Sequence, residues 1–273
     1  ASVTILVQGL IVEPLIWGAA RFITGLCLAG LFVASESWLN ATTSPRNRGG
    51  LLGIYMLITF AGTGAGQYLM LAGDPLGPSL FIYVSILLSL AAVPMLLVNI
   101  QVPNVHEENK IKLMHLFKIS PLGICGVFIA GIINGSLFGM GPVFAQRTGL
   151  NLTETSTFMA SLVLGGSLMQ LPLGRLSDMI DRRLVLTGVL FLTTMTALAL
   201  LFLNMPVGLE YFLILAAFGG SALTIHALSL AHTNDFVEPS ELVGASVSMV
   251  VVFGLGSISG PLLLGVLFVV AGN

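Results

Sequence analysis

The residues most able to do chemistry in this chain are a few charged side chains inside long apolar runs. Arg21 and Glu36 are 15 residues apart, about 22 Å along a helix, so the two side chains cannot pair directly. A charge in such a run is costly unless it faces a polar cavity or a partner. Both residues are therefore candidates for proton coupling, and Arg21 also for attracting an anion. Alternatively, Arg21 extends to the outer interface and Glu36 pairs with Arg46 or Arg48.

A denser group of charges occupies the segment from Gly174 to Arg183. Its candidate gating residues are Gly174, Arg175, Asp178, Asp181, Arg182 and Arg183. We predict a tight turn between two helices, in which ion pairs hold the helix ends and exchange partners when the helices move. Such a group can act as a gate. The alternative is a solvated turn with no gating role.

Three weaker sets of side chains complete the candidates. His226 can titrate near neutral pH or, alternatively, make a hydrogen bond between helices. Gln67, Asn134 and Gln170 are candidate substrate contacts, although such polar side chains also join neighbouring membrane helices. A helix-packing motif of small residues and one proline is predicted at Gly62, Gly66, Gly256, Gly260, Pro261 and Gly265.

No catalytic set, metal or cofactor is predicted. The charged and histidine residues within apolar runs form neither a carboxylate pair nor a Ser–His dyad, so we do not expect an enzyme. Cys27 and Cys125 lie far apart in the sequence and make no disulfide framework or metal cluster. The pattern G-x-x-x-x-G-K-[ST] is absent from the sequence, so active transport would draw on an ion gradient rather than on a nucleotide.

Membrane-spanning helices must position these side chains. Of the 273 residues, 56% are hydrophobic and 8% are charged, whereas a soluble domain carries about 25% charged residues. This composition excludes a water-soluble enzyme, and the net charge of −2 excludes a nucleic-acid-binding protein. Apolar runs of about 20 residues are typical of helices that cross a bilayer. We predict eight whole spans and one partial span: 1–12 (partial), 15–39, 50–71, 79–100, 119–144, 155–173, 184–204, 209–231 and 244–270.

Positive charges are distributed unequally between the two sets of alternate loops. One set, with its flanks, carries eight of the ten basic residues, and the other carries Arg147 alone. Lysine and arginine favour cytoplasmic loops. We therefore predict that the loops at 44–49, 102–118, 174–183 and 233–243 are cytoplasmic.

An internal repeat relates two pairs of spans at an offset of 194 residues. The ungapped matches include Leu15 with Leu209, Gly25 with Gly219, Asn40 with Asn234, Pro45 with Pro239, Gly62 with Gly256 and Gly66 with Gly260, and Trp17 aligns with Tyr211. Both copies have the same orientation, as in transporters built from two six-helix halves. The chain then corresponds to helices 3–11 of twelve. Residues 1–101 would be the remainder of the N-terminal half (helices 3–6), 102–118 a cytoplasmic linker, and 119–273 the C-terminal half (helices 7–11).

Several motifs resemble those of one transporter family. Gly174-Arg175-Leu176-Ser177-Asp178, followed by Arg182-Arg183, is similar to the G-x-L-[AS]-D-…-R-[RK] loop of the major facilitator superfamily. The chain departs from that pattern at Met179-Ile180-Asp181. Arg21 and Gly25 resemble the R-x-x-x-G of that family's motif B. The run from Gly256 to Gly265 resembles the glycine-proline motif of antiporter members, with plain tight packing as the alternative.

A second resemblance concerns one branch of that superfamily. Glu36-Ser37-Trp38-Leu39-Asn40, Pro45-Arg46-Asn47-Arg48-Gly49 and Gly53-Ile54-Tyr55-Met56 closely resemble its YcaD-like branch. The resemblance implies a secondary transporter of the inner membrane.

We therefore expect an all-α integral membrane protein with an incomplete major facilitator fold, multi-pass in the inner (plasma) membrane and monomeric. Its partners would be the lipid bilayer, a small-molecule substrate and a coupling ion, the proton. The expected function is proton-coupled efflux by alternating access. The alternatives are proton-coupled uptake of a nutrient, and an inactive fragment of such a transporter.

Overall fold

The computed structural model describes residues 1–42, 48–74, 77–97, 113–202, 206–238 and 241–270. Within these ranges it does not describe the side chains of 33, 36–42, 48–54, 56–57, 95–97 and 242–243. The described chain is helical and divides into two compact units, Ala1–His106 (unit 1) and Glu107–Asn273 (unit 2). The domain boundaries predicted above stay a prediction.

The described residues of unit 1 form four α-helices. They are α1 (Ser2–Leu10), α2 (Pro14–Thr42), α3 (Arg48–Tyr68) and α4 (Ser79–Leu97), with a 3₁₀ turn at Leu69–Ala72. Helix α2 begins at Pro14, where a missing N–H costs no hydrogen bond. Helix α1 packs on α4, where the Ser2 hydroxyl lies 2.7 Å from the hydroxyl of Ser85 and 2.7 Å from that of Ser89. Hydroxyl pairs of this kind join apolar helices that carry few other polar groups.

Unit 2 contains a short helix and five long ones. They are α5 (Leu113–Ile119), α6 (Pro121–Arg147), α7 (Leu152–Met179), α8 (Arg182–Phe202), α9 (Leu209–Asn234) and α10 (Leu242–Val270). Helix α6 packs along α10, α7 packs along α9, and α8 contacts α9. Three buried apolar clusters fill the spaces between them, centred on Met249, Ile225 and Leu162.

Glycines allow the helices of unit 2 to approach closely. On α6, Gly131 and Gly135 face the backbone of α10, and on α10, Gly256 and Gly260 face the backbone of α6. A Cβ atom at any of these four positions would overlap backbone atoms of the neighbouring helix. Close backbone approach gives membrane helices the van der Waals contact that replaces the hydrophobic effect in lipid.

The predicted fold is confirmed. Each of the eight predicted whole spans coincides with a helix, and the partial span at 1–12 contains α1. Among the described residues, six helices are long and apolar enough to cross a membrane. The six segments are Pro14–Phe32, Pro121–Arg147, Leu152–Met179, Arg182–Phe202, Leu209–Asn234 and Gly244–Val270.

Two predicted loops are shorter in the structure. The turn predicted over 174–183 is wrong in extent, because α7 continues to Met179 and only residues 180 and 181 connect it to α8. In this last part of α7, the Ser177 hydroxyl donates to the Gly174 carbonyl at 2.8 Å. The predicted linker at 102–118 also contains part of α5, and its residues 102–112 lie outside the described chain.

Candidate functional site

Arg182 connects the α7–α8 turn to the end of α9. Its Nη2 lies 2.9 Å from Oδ1 of Asp178, and its Nε lies 2.7 Å from Oδ2 of Asp235. Its Nη1 donates to the Ser177 hydroxyl at 2.9 Å. The planar guanidinium of Arg182 thus binds three side chains. Through these contacts Arg182 connects the end of α7, the start of α8 and the end of α9.

Local backbone chemistry explains why Arg182 is placed there. Asp181 precedes α8, and its Oδ1 accepts a hydrogen bond from the Arg183 N–H at 2.8 Å, as an N-cap does. This cap begins α8 immediately after the two-residue connection. Asp235 occupies the C-cap position of α9, which brings its carboxylate to the same end of unit 2 as Arg182.

The ion pairs of Arg182 are partly solvated. The Arg182 side chain is 21% exposed, while Asp178 and Asp235 are 65% and 47% exposed. Exposed pairs contribute about 0.2–1 kcal/mol each. The attachment is therefore specific in geometry but small in free energy, so it can break and re-form at low cost.

Two clefts adjoin this group of charges. A cleft of about 480 Å³ is lined by residues that include Asp178, Arg182, His232 and Asp235. A second, of about 210 Å³, lies between α7 and α9, and Gln170 and Thr224 line it together with Ser177 and Arg182. Arg182 thus borders both clefts. Of the three candidate substrate contacts, Gln170 is the one next to the predicted gating residues.

The three predicted coupling residues have different surroundings. Arg21 is exposed on α2, and within the described residues no carboxylate pairs with it. The side chain of Glu36 lies outside the described residues, as do the partners predicted for it, Arg46 and the side chain of Arg48. His226 is half-buried on α9, with its ring 4.6 Å from the ring of Phe253 in an edge-to-face arrangement. A joint role of these three residues therefore stays a prediction.

The other predicted residues are distributed over both units. Asn134 donates from its amide to the carbonyl of Ala130 at 2.9 Å, and Gln67 donates to that of Thr63 at 3.2 Å, so each bonds its own helix. Pro261 lies against Gly139. A Cβ atom at Gly62, Gly66, Gly174 or Gly265 would meet no atom within 4 Å, in contrast to Gly256 and Gly260.

Sequence reasoning missed Asp235 and the glycines of α6. Asp235 follows a helix whose end was predicted on the same side of the membrane as Arg182, so that shared side was the available signal. Gly131, Gly135 and Gly139 repeat at every fourth residue, which is the spacing of a helix-packing face.

Asn151 and Glu154 also form a reciprocal capping box at the start of α7, with bonds of 3.0 and 2.8 Å. The spacing N-x-x-E predicts that cap.

Comparisons with known proteins agree on the family. The sequence model of the Major Facilitator Superfamily matches residues 2–261. The chain is 31% identical over 256 residues to proteins described as "Uncharacterized MFS-type transporter YcaD", for example from Escherichia coli O139:H28 and Shigella flexneri serotype 5b. That match covers 93% of this chain and 65% of the relative.

A solved structure shares the fold. It is the crystal structure of a bacterial homologue of the human lysosomal transporter Spinster, in an inward-facing and unoccupied conformation. The TM-score is 0.70 at 18% identity, covering 95% of this chain and 64% of that one. This chain therefore spans 65% of the length of its curated relatives and belongs to the major facilitator superfamily.

Proposed function

We propose that this chain is the larger part of a secondary active transporter that moves a small molecule by alternating access, with efflux coupled to proton entry. Support for transport comes from the family and from the fold shared with a transporter structure. Support for a conformational gate comes from one observation, the attachment of α9 to the α7–α8 turn through Arg182.

The small free energy of the ion pairs made by Arg182 suits a gate. Alternating access requires two conformations of similar free energy, so the contacts that stabilise one of them must be individually small. Two partly solvated ion pairs amount to about 0.4–2 kcal/mol, which changes the ratio of two conformations by roughly two- to thirtyfold. A fully buried pair would be costly to break and would hold one conformation.

Proton coupling and efflux rest on weaker observations. His226 is half-buried among apolar helices beside Phe253, where one proton changes the cost of burial. Arg21 is a second charged group within a span. The direction follows from the glycine-proline resemblance in α10. Uptake by symport is the alternative, and the sign of the proton flux distinguishes the two.

The test uses the full-length protein in liposomes with an internal pH dye and an imposed proton gradient. A panel of amphipathic drugs, sugars and organic acids is screened for substrate-dependent proton movement. Efflux coupling predicts that substrate and protons move in opposite directions. Movement in the same direction would indicate symport. Substrate movement without proton movement would contradict proton coupling, and an inactive but folded protein would contradict the transport proposal.

Asp235 provides the test of the gate. Asp235→Asn removes one of the two carboxylates from Arg182, and we expect transport to fall about fivefold, as a loss of about 1 kcal/mol predicts. Asp178→Asn should have a similar effect with expression kept. Glu238→Gln is the matched control, because Glu238 is an exposed acid three residues further along that makes no ion pair among the described residues. Equal effects of Asp235→Asn and Glu238→Gln would contradict the gate.

A further inference from the structure

A further cleft adjoins the group centred on Arg182 and shares Arg183, His232 and Phe236 with the cleft of about 480 Å³. It has a volume of about 300 Å³ and is formed by the start of α6, the start of α8 and the end of α9. The residues from Ile119 to Leu122 complete its lining. The ion pairs of the proposed gate join Arg182 to Asp178 and Asp235, and none of these three residues lines this cleft.

Arg183 supplies to this cleft a guanidinium that forms no ion pair with a described carboxylate. Asp178 and Asp235 both bind Arg182, and the guanidinium of Arg183 has no carboxylate partner in the described part of the chain. The central carbon of the Arg183 guanidinium, Cζ, lies 5.9 Å from the ring centroid of Phe236. The carboxylate of Asp181 is engaged by the backbone N–H of Arg183, as the cap of α8.

The first turn of α6 adds backbone donors. Helix α6 has 27 residues, so its N-terminus carries a partial positive charge. Ser120 occupies the N-cap position, but its hydroxyl makes no cap hydrogen bond and lies 3.3 Å from the hydroxyl of Thr233 instead. First-turn N–H groups that no side chain caps are suited to an anion.

His232 is the independent sign that a ligand completes this cleft. Its side chain is buried, at 5% exposure, and lines the cleft. Its ring contacts Phe236 edge-on at 5.0 Å. Its nitrogens form no hydrogen bond with the described residues and are not among the fully buried unpaired atoms, so a group in the cleft can reach them. A mostly buried imidazole normally satisfies at least one nitrogen, and a group in the cleft is able to act as that partner.

The rim of the cleft is apolar. Leu122 and Phe236, which both line the cleft, are more than one third exposed. Such a rim suits a charged group carried at the surface of a bilayer. A tetrahedral anion accepts hydrogen bonds from a guanidinium, an imidazole and backbone N–H groups together.

We propose that the cleft formed by the first turn of α6, Arg183 and His232 binds a phosphate group, carried by an anionic phospholipid or by inorganic phosphate. Arg183 neutralises the charge, His232 donates a hydrogen bond, and the α6 N-terminus supplies backbone donors. In the lipid case the acyl chains lie against the apolar rim. Occupancy would join α6, α8 and α9 at this end of unit 2.

The experiment measures binding to the delipidated full-length protein in neutral detergent. Native mass spectrometry gives the dissociation constants for phosphatidylglycerol and phosphatidylcholine, and thermal unfolding is recorded with inorganic phosphate. Tighter binding of phosphatidylglycerol without an effect of phosphate identifies a lipid site. Stabilisation by phosphate at a similar occupancy identifies a site for the free anion. Binding of neither probe overturns the proposal.

Matched variants separate a built site from general attraction to positive charge. Arg183→Gln should weaken phosphatidylglycerol binding about tenfold, the effect of one charge-assisted contact, and Arg183→Lys should retain most of it. Arg175→Gln removes an exposed arginine of α7 that does not line the cleft, and it should change binding by less than twofold. His232→Gln keeps a hydrogen-bond donor and should lose less than His232→Phe. Equal losses for Arg183→Gln and Arg175→Gln would overturn the proposal.

Discussion

The two copies of the predicted internal repeat have different surroundings in the described part of the chain. In the candidate span of α9, 50% of the residues are buried, whereas in that of its repeat mate α2 the share is 11%. Gly219 on α9 lies against the backbone of Leu162 on α7, but a Cβ added at its mate Gly25 meets no described atom within 4 Å. Gly256 and Gly260 face α6, whereas a Cβ added at their mates Gly62 and Gly66 likewise meets no described atom within 4 Å.

This difference shows what a glycine pattern can and cannot do. Small residues make close approach possible, but the contact forms only where a second helix supplies the opposite backbone. In unit 2, α6 and α7 are that second surface. Within the described residues of unit 1, no helix lies opposite these glycines of α2 and α3.

The largest loss in the free energy of unfolding is expected at the α6–α10 contact. Gly256→Leu places a branched side chain against the backbone at Phe128 and Ile132, and we expect a loss of about 3 kcal/mol or more in the free energy of unfolding, because overpacked backbone cannot rotate away. Gly62→Leu, at its repeat mate, is the comparison, since a Cβ added there meets no atom of the described residues within 4 Å. Unfolding in mixed detergent micelles, followed by circular dichroism, measures both. Similar losses for the two variants would show that α3 is packed as tightly as α10.

A smaller effect is expected at the α7–α9 contact. Gly219→Ala should lower the free energy of unfolding by about 1–3 kcal/mol, because the new methyl overlaps the Leu162 backbone. Gly25→Ala should instead be neutral or raise it by about 0.5–1 kcal/mol, since alanine favours a helix over glycine. The sign of the change, from thermal unfolding in detergent, distinguishes a packed glycine from an exposed one. A stabilising Gly219→Ala would contradict the contact.

The smallest expected loss of stability concerns the capping box at the start of α7. Asn151→Ala removes the side-chain acceptor for the Glu154 N–H, and we expect a loss of about 1 kcal/mol. Hydrogen exchange should increase in the first turn of α7 and not in α10. Thr153→Ala, on the same turn but outside the capping box, is the control. An unchanged exchange rate in Asn151→Ala would mean that packing against α9 alone holds this end.

Much of the fold could be predicted from local patterns. Hydropathy places the spans because each needs about 20 apolar residues to cross the hydrocarbon, and the helices overlap every predicted span. The ends were less accurate: α7 runs to Met179 rather than stopping near 173. Charged and polar residues do not by themselves end a helix, and the backbone continued through them until Ile180 adopted an extended conformation.

The candidate site was less predictable. The charges of the α7–α8 turn were evident, and Arg182 does bind Asp178 four residues before it, a spacing that a helix brings together. Its second partner, Asp235, lies 53 residues further along, and no local pattern links the two. The buried state of His232 was equally hidden, because it depends on how α8 and the first turn of α6 close around the end of α9.

Composition and the length of the apolar runs are enough to place this chain in a membrane. In lipid the backbone must satisfy its hydrogen bonds within the protein, and continuous apolar runs of this length do so as helices. The sequence also determined the repeat, since that is a property of residue order. The glycine contacts between α6 and α10 and the two carboxylates that bind Arg182 became evident only in the folded chain. Those contacts depend on distances between helices that are far apart in the sequence.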